Sequence, residues 1–157
     1  MAPGGTDAAR VMDDLRRLVR VLRIGSSDIQ RSTGISSAQL FTLRQISRRT
    51  GQSLSELAAS TLTTQSSVSE VVSKLVRRGL ATRESSPDDR RRAELQVTAA
   101  GYKVLETAPE TPQEKLLAGL VAMGPARQRH LAAGLEEWLK AAGLDNLPPT
   151  MFFEGET

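Results

Sequence analysis

Residues 53–98 read SLSELAASTLTTQSSVSEVVSKLVRRGLATRESSPDDRRRAELQVT, and along this stretch the apolar pattern passes from helical to alternating. It opens on Ser53-Leu-Ser-Glu56, which fits a capping box: the Ser53 hydroxyl accepts from the Glu56 N–H while the Glu56 carboxylate reaches back. A short helix carrying Leu54, Leu57 and Ala58 follows. Ser60, Thr61, Thr63 and Thr64 then crowd together, and their hydroxyls disfavour continued helix while offering caps for a new one. The new helix is expected over 65–78, burying Val68, Val71 or Val72, and Leu75, with Gly79 as its end. Beyond Gly79, residues 80–84 and 93–97 alternate around a polar tip that contains Pro87, Asp88 and Asp89 and leads into Arg90, Arg91 and Arg92. Two short strands and such a tip make a β-hairpin.

Upstream, Ser36 or Ser37 caps a helix through Leu40, Phe41, Leu43 and Ile46 to Arg49, with Gly51 as its exit. Before it, Val11, Leu15, Leu18, Leu22 and Ile29 recur at helical spacing from Asp7 to Ser32, a rod of about 25 residues or nearly 40 Å. That is longer than a small domain needs to cover its own core, so a second chain is the expected partner. Downstream, Thr98 caps a helix through Tyr102, Val104 and Leu105, which the Ala108-Pro-Glu-Thr-Pro112 stretch kinks or ends. Residues 113–123 and 125–142 are again apolar-periodic, the second with Leu131, Leu135, Trp138 and Leu139 on one stripe. Residues 143–157 read as irregular, with Met151, Phe152 and Phe153 as candidates to dock on the folded part.

The composition narrows the function. The chain has 157 residues, 39% hydrophobic and 25% charged, the balance of one ordinary domain. Aromatics make up only 3%, which disfavours a large β-sandwich. With no Cys and one His, His130, thiolate nucleophiles, disulfides and multi-histidine metal sites are excluded, and no metal or cofactor is expected. There is no Gly-rich phosphate loop, no G-x-S-x-G elbow and no His near a nucleophile in sequence, so an enzyme is not expected. Residues 1–5 carry no signal-peptide pattern, and the longest weakly polar run, 116–126, falls far below the roughly 18 residues of a membrane span, so a cytoplasmic protein without membrane contact is expected. The net charge of +3 is concentrated: residues 74–92 hold seven basic side chains against three acidic ones. A local basic stretch on a near-neutral chain suggests a polyanion-binding face.

Helix, short turn, helix and hairpin together make a winged helix-turn-helix, whose second helix is slender enough to enter the major groove of double-stranded DNA. Opposite its buried valines that helix shows Gln65, Ser66, Ser67, Ser69, Glu70, Ser73 and Lys74, mostly short or amide side chains that can approach base edges, with Thr64 at its start. Arg77, Arg78, Arg90 and Arg92 are placed to contact phosphates whatever the sequence, and Arg91 to read minor-groove shape.

Leu57-Ala58, Ser66-Ser-Val68-Ser69, Val72, Leu75, Arg78-Gly79-Leu80, Asp89-Arg90-Arg91 and Leu95-Gln-Val-Thr98 with Gly101, in this order and spacing, resemble the multiple antibiotic resistance regulator (MarR) family of winged-helix repressors. The resemblance covers residues 40–105 well. It implies a homodimer with interlocked first and last helices and two recognition helices in successive major grooves of a pseudo-palindrome. It further implies that Asp89 orients Arg91 toward the minor groove, and that a small phenolic or anionic effector binds between the dimerisation helices and the DNA-binding lobe, near Phe41, Arg44 and Tyr102. The fold expected is mainly α with a small β-wing, one domain over 1–157. Within it 7–33 and 99–143 are dimerisation helices, 37–98 is the DNA-binding lobe and 144–157 a tail. Three departures stand out: Thr61-Leu62-Thr63 occupies a turn where Gly is common, Glu70 stands where relatives often carry a basic residue, and the absence of Cys excludes the peroxide-sensing branch. The rival reading is a winged helix that binds a protein and has lost DNA.

Overall fold

The computed structural model describes residues 5–152. Seven helices and one two-stranded sheet follow in the order α1 (Gly5–Thr33), α2 (Ser37–Arg48), α3 (Leu54–Thr61), α4 (Gln65–Arg77), β1 (Ala81–Ser85), β2 (Ala93–Val97), α5 (Ala99–Thr107), α6 (Pro112–Met123) and α7 (Pro125–Ala141). The mainly helical winged-helix architecture is therefore the one the sequence implies, with boundaries displaced by a residue or two.

The caps explain most of these boundaries. Ser36, Ser53, Thr64, Thr98 and Thr111 each accept a hydrogen bond from the backbone N–H three residues on, satisfying one donor that the first helical turn leaves orphaned. Two of them are full capping boxes, Ser53 with Glu56 and Thr111 with Glu114. The α5–α6 break comes at 108–111, and α6 begins on Pro112, whose missing N–H is no loss in the first turn.

The turn between α3 and α4 is made without glycine. Leu62 adopts the left-handed conformation, φ 52° and ψ 42°, the one non-glycine positive φ among the described residues. Its N–H donates to the Ala58 and Ala59 carbonyls and closes α3, so a leucine fills the place where glycine is common.

The core lies within α2, α3, α4 and the wing. Leu40, Phe41, Leu43, Ile46, Leu57, Val68, Val71, Leu75 and Leu95 are fully buried, and Ile29 and Ile35 cover its α1 side. β1 and β2 pair antiparallel from Ala81↔Val97 to Ser85↔Ala93. Leu95 also exchanges hydrogen bonds with the α2–α3 loop: Gly51 N–H donates to its carbonyl at 3.1 Å and its own N–H to the Gln52 carbonyl at 3.0 Å. The wing is thus anchored to the lobe by main chain as well as by Leu95 itself.

Apart from Ile29 near its end, α1 lies outside this core, as does α7. On α1, Val11, Met12, Leu15, Leu18, Val19, Val21 and Ile24 are exposed, and on α7 so are Leu131, Leu135, Trp138 and Leu139. Trp138 is accordingly on an open helix face and not in the monomer's core. The two helices share a groove of about 560 Å³ lined by Ala8, Val11, Met12, His130, Leu131, Gly134, Leu135 and Trp138. The described part of the tail is irregular, and of its docking candidates Met151 is buried in the lobe core, 4% exposed, with its sulfur 3.9 Å from the Thr42 hydroxyl. Phe152 stays exposed, and Phe153 lies outside the described residues.

Candidate nucleic-acid interface

α4 is amphipathic in the way its sequence suggests. Val68, Val71, Val72 and Leu75 are buried, both valines 71 and 72 included, while Gln65, Ser66, Glu70, Ser73 and Arg77 are exposed and Ser67, Ser69 and Lys74 half-buried. Part of that polar face is occupied within the helix. Thr64 accepts from the Ser67 N–H at 3.2 Å and donates to the Ser67 hydroxyl at 3.0 Å, the Ser73 hydroxyl donates to the Ser69 carbonyl at 2.8 Å, and Lys74 lies 3.7 Å from Glu70. Ser66, Ser69 and Ser73 leave the least bulk on the open face, so a partner surface can come close to the helix backbone.

The wing tip is a built turn. The Ser86 N–H donates to the Arg92 carbonyl at 2.7 Å, and the Arg92 N–H to the Asp89 carbonyl at 2.9 Å. The Asp89 carboxylate accepts from the backbone N–H of Arg91 at 2.9 Å. Asp89 and Arg91 are thus brought together, but through the main chain: Asp89 fixes the path of the turn, and Arg91 and Arg90 project exposed side chains from it.

Two predicted phosphate contacts have partners inside the protein. The Arg78 guanidinium donates to the Gly34 carbonyl at 2.7 Å, tying the end of α4 to the α1–α2 turn. The Arg92 guanidinium donates to Glu56 Oε2 at 2.7 Å.

In the sequence Glu56 reads only as a helix cap, but the fold gives it more to do. Its carboxylate accepts from the Ser53 N–H at 2.7 Å, from Arg92 of the wing, and from Arg49 at 3.0 Å. The Ser53 backbone hydrogen bond outweighs the opposing effect of burial and, with lesser help from the Ser53 side chain and the flanking Arg92 and Arg49 charges, holds this carboxyl below the ordinary glutamate value. In front of Glu56 opens a cleft of about 460 Å³ whose walls include Ser55 of α3, Gln65 of α4 and Arg83, Arg91 and Arg92 of the wing. The start of α4 and the wing arginines therefore face one cavity. Arg83, on β1, is the lining arginine that sequence reasoning does not single out, because one arginine in an alternating strand carries no signal of its own.

The residues expected around an effector are not gathered in the same way. Phe41 is wholly buried in the core and Tyr102 is exposed on α5. Arg44 is committed to the α5–α6 connection: it donates to Glu114 at 2.5 Å and to the Ala108 and Pro109 carbonyls at 3.1 and 3.0 Å, while Arg48 reaches the other Glu114 oxygen at 3.2 Å. Among the described residues no group of three or more His, Asp or Glu is placed to hold a metal ion, and no helix is long and apolar enough to cross a membrane.

Residues 33–92, which span α2 through the wing tip, match the model of the MarR family. Over these residues the winged helix-turn-helix of this chain is similar to that of the MarR family. The fold itself is shared with solved structures over most of the chain. The transcriptional regulator BldR from Sulfolobus solfataricus superposes with a TM-score of 0.53 at 22% identity, covering 86% of this chain and 96% of that one. Streptococcus pneumoniae FabT, solved in complex with DNA, gives 0.56 at 20% identity over 87% of this chain and 97% of its own. A probable transcriptional regulator from Pseudomonas aeruginosa gives 0.57 at 22% identity over 82% and 96%. No curated protein matches the chain by sequence. The lobe here keeps α4 and the wing in the expected order, with Leu62 in place of a turn glycine and Glu70 on the open face of α4.

Proposed function

We propose that this protein is a DNA-binding transcriptional regulator, a repressor that works as a homodimer on a pseudo-palindromic operator. The observation that carries this reading is the shared cleft between Gln65 at the start of α4 and Arg83, Arg91 and Arg92 of the wing. A helix face of short polar side chains beside a guanidinium-lined hairpin fits a major groove and its flanking phosphates. In this reading Gln65, Ser66, Ser67, Ser69, Glu70, Ser73 and Lys74 face bases, with Thr64 beside them. Arg77, Arg78, Arg90 and Arg92 meet phosphates, and Arg91, its turn fixed by Asp89, enters the minor groove. Exposed apolar faces on α1 and α7 support the homodimer, because side chains such as Leu18, Leu135 and Trp138 gain burial only against another chain. Release of the operator by a small phenolic or anionic effector would follow from any change in the spacing of the two recognition helices.

The test is a footprint on DNA flanking the protein's own gene, followed by titration of the protected duplex at several salt concentrations. A regulator making several phosphate contacts loses affinity steeply as salt rises. A winged helix that has turned to a protein partner binds no duplex even at low salt. Arg91→Ala is expected to weaken operator binding while leaving the thermal transition in place.

A further inference from the structure

We propose that Glu56 is the positioning residue of this interface: by holding Arg92 from one carboxylate oxygen and Arg49 from the other, it sets the wing at the distance from α4 at which the cleft seats a DNA backbone phosphate. The inference rests on the DNA-binding reading above and adds a residue that touches no base. Three observations carry it. Glu56 is itself fixed, because the oxygen that takes the Arg92 guanidinium at 2.7 Å also takes the Ser53 N–H at 2.7 Å, so the capping box aims the carboxylate before any arginine arrives. The contact joins elements far apart in the chain, α3 and the outgoing arm of the wing, and is the side-chain link between them that complements the Leu95 main-chain bridge. And the cleft it backs is lined by Arg83, Arg91 and Arg92 from one side and by Ser55 and Gln65 from the other, a donor-rich cavity suited to an anion.

The carboxylate and the phosphate compete in charge, which makes the proposal decidable by sign. If Glu56 only neutralises part of a basic face, its removal strengthens DNA binding, because the duplex then meets one more unopposed positive charge. If Glu56 positions Arg92, removal weakens binding: a mobile guanidinium loses rotamer freedom on docking that the ion pair had already removed. Glu56→Gln separates these outcomes while keeping the helix cap: the amide oxygen still accepts from the Ser53 N–H, the amide nitrogen replaces the oxygen that held Arg49, and Arg92 is left a neutral acceptor in place of the charge that held it.

The experiment uses the full chain and the footprinted duplex. Glu56→Gln is expected to bind roughly threefold or more weakly, with a log–log salt slope smaller by about one, as when the duplex has one phosphate fewer neutralised by the protein. Combined with Arg92→Ala, it should add no further loss, because the two residues act as one unit. Tighter binding by Glu56→Gln, unchanged binding, or additive losses in the double variant overturn the proposal. A second arm needs no DNA: amide hydrogen exchange in β1 and β2 of the free protein should quicken in Glu56→Gln while α2 stays protected, and unaltered exchange in the wing overturns the tether. Absence of duplex binding by the unaltered protein would sink the regulator reading, and the exchange arm would still decide whether Glu56 holds the wing.

Discussion

Gly101 packs against Leu80 so closely that a β-carbon on it would overlap the Leu80 carbonyl oxygen and press on the Val97 side chain. The same carbonyl accepts from the Thr98 N–H at 3.1 Å, and the Thr98 hydroxyl donates to the Gly79 carbonyl at 2.7 Å. The end of α4, the wing and the start of α5 therefore meet at a point with no spare volume. Gly101→Ala is expected to destabilise the fold by about 1–3 kcal/mol, the usual effect of overpacking a tight contact. Urea unfolding should show a lower midpoint with an unchanged slope.

Glu114 is 8% exposed at its side chain and answers both Arg44 and Arg48. It also completes the Thr111 capping box. Removing one partner from such a cluster leaves a partly buried guanidinium without its counter-charge. Glu114→Ala should lower stability by about 3–5 kcal/mol, and Arg44→Ala, which leaves the carboxylate its cap and Arg48, by less. Thermal unfolding of the two single variants checks the order.

Leu62 spends conformational energy to make the α3–α4 turn, since a left-handed backbone disfavours a side chain by about 1–2 kcal/mol. At 74% exposed it returns little burial. Leu62→Gly is expected to raise stability by about 1 kcal/mol, read as an upward shift of the unfolding midpoint; a fall would mean that the leucine side chain matters more than the turn.

The caps at Ser53, Thr64 and Thr98, the buried stripe of Val68, Val71 and Leu75, and the switch to alternation after Gly79 are all visible in sequence, because each depends on residues a few positions apart. The helix-and-wing order, and with it the candidate interface, follows from those local signals. Contacts between distant positions leave no such trace. Nothing in the spacing pairs Arg44 with Glu114, Arg78 with Gly34 or Arg92 with Glu56, and in sequence each arginine looks equally available; only the fold supplies its partner. Asp89 and Arg91 lie two apart, yet sequence does not distinguish a main-chain acceptor from a side-chain clasp.

The apolar faces of α1 and α7 predict an association that one charge can break. Leu135→Asp places a carboxylate in the groove that Val11, Met12 and Trp138 also line. Sedimentation should show the unaltered protein as a dimer and this variant as a monomer, with Trp138 fluorescence shifted to the red and affinity for a full palindrome lost. A monomeric unaltered protein would refute the homodimer.

Acid should loosen the wing through Glu56. Its carboxyl titrates below the ordinary glutamate value, first through the Ser53 N–H and then through the Ser53 side chain and the two arginines. A group depressed in the folded state adds stability that is complete above its unfolded value and is lost as pH falls through the folded one. The stability gap between the unaltered protein and Glu56→Gln should thus stay constant near neutrality and close in acid, measured as urea midpoints at stepped pH.

Met151 has a consequence for the order of folding. The lobe takes almost all its core from residues 29–95, yet one buried side chain arrives from the far side of α7. A nascent chain can form the helices and the wing early from local contacts, but this last plug waits until translation has passed residue 151, a long-range closure made slowly and late. Fusions or truncations at that end would then act on the lobe that holds α4 and the wing, although the residues they touch follow α7.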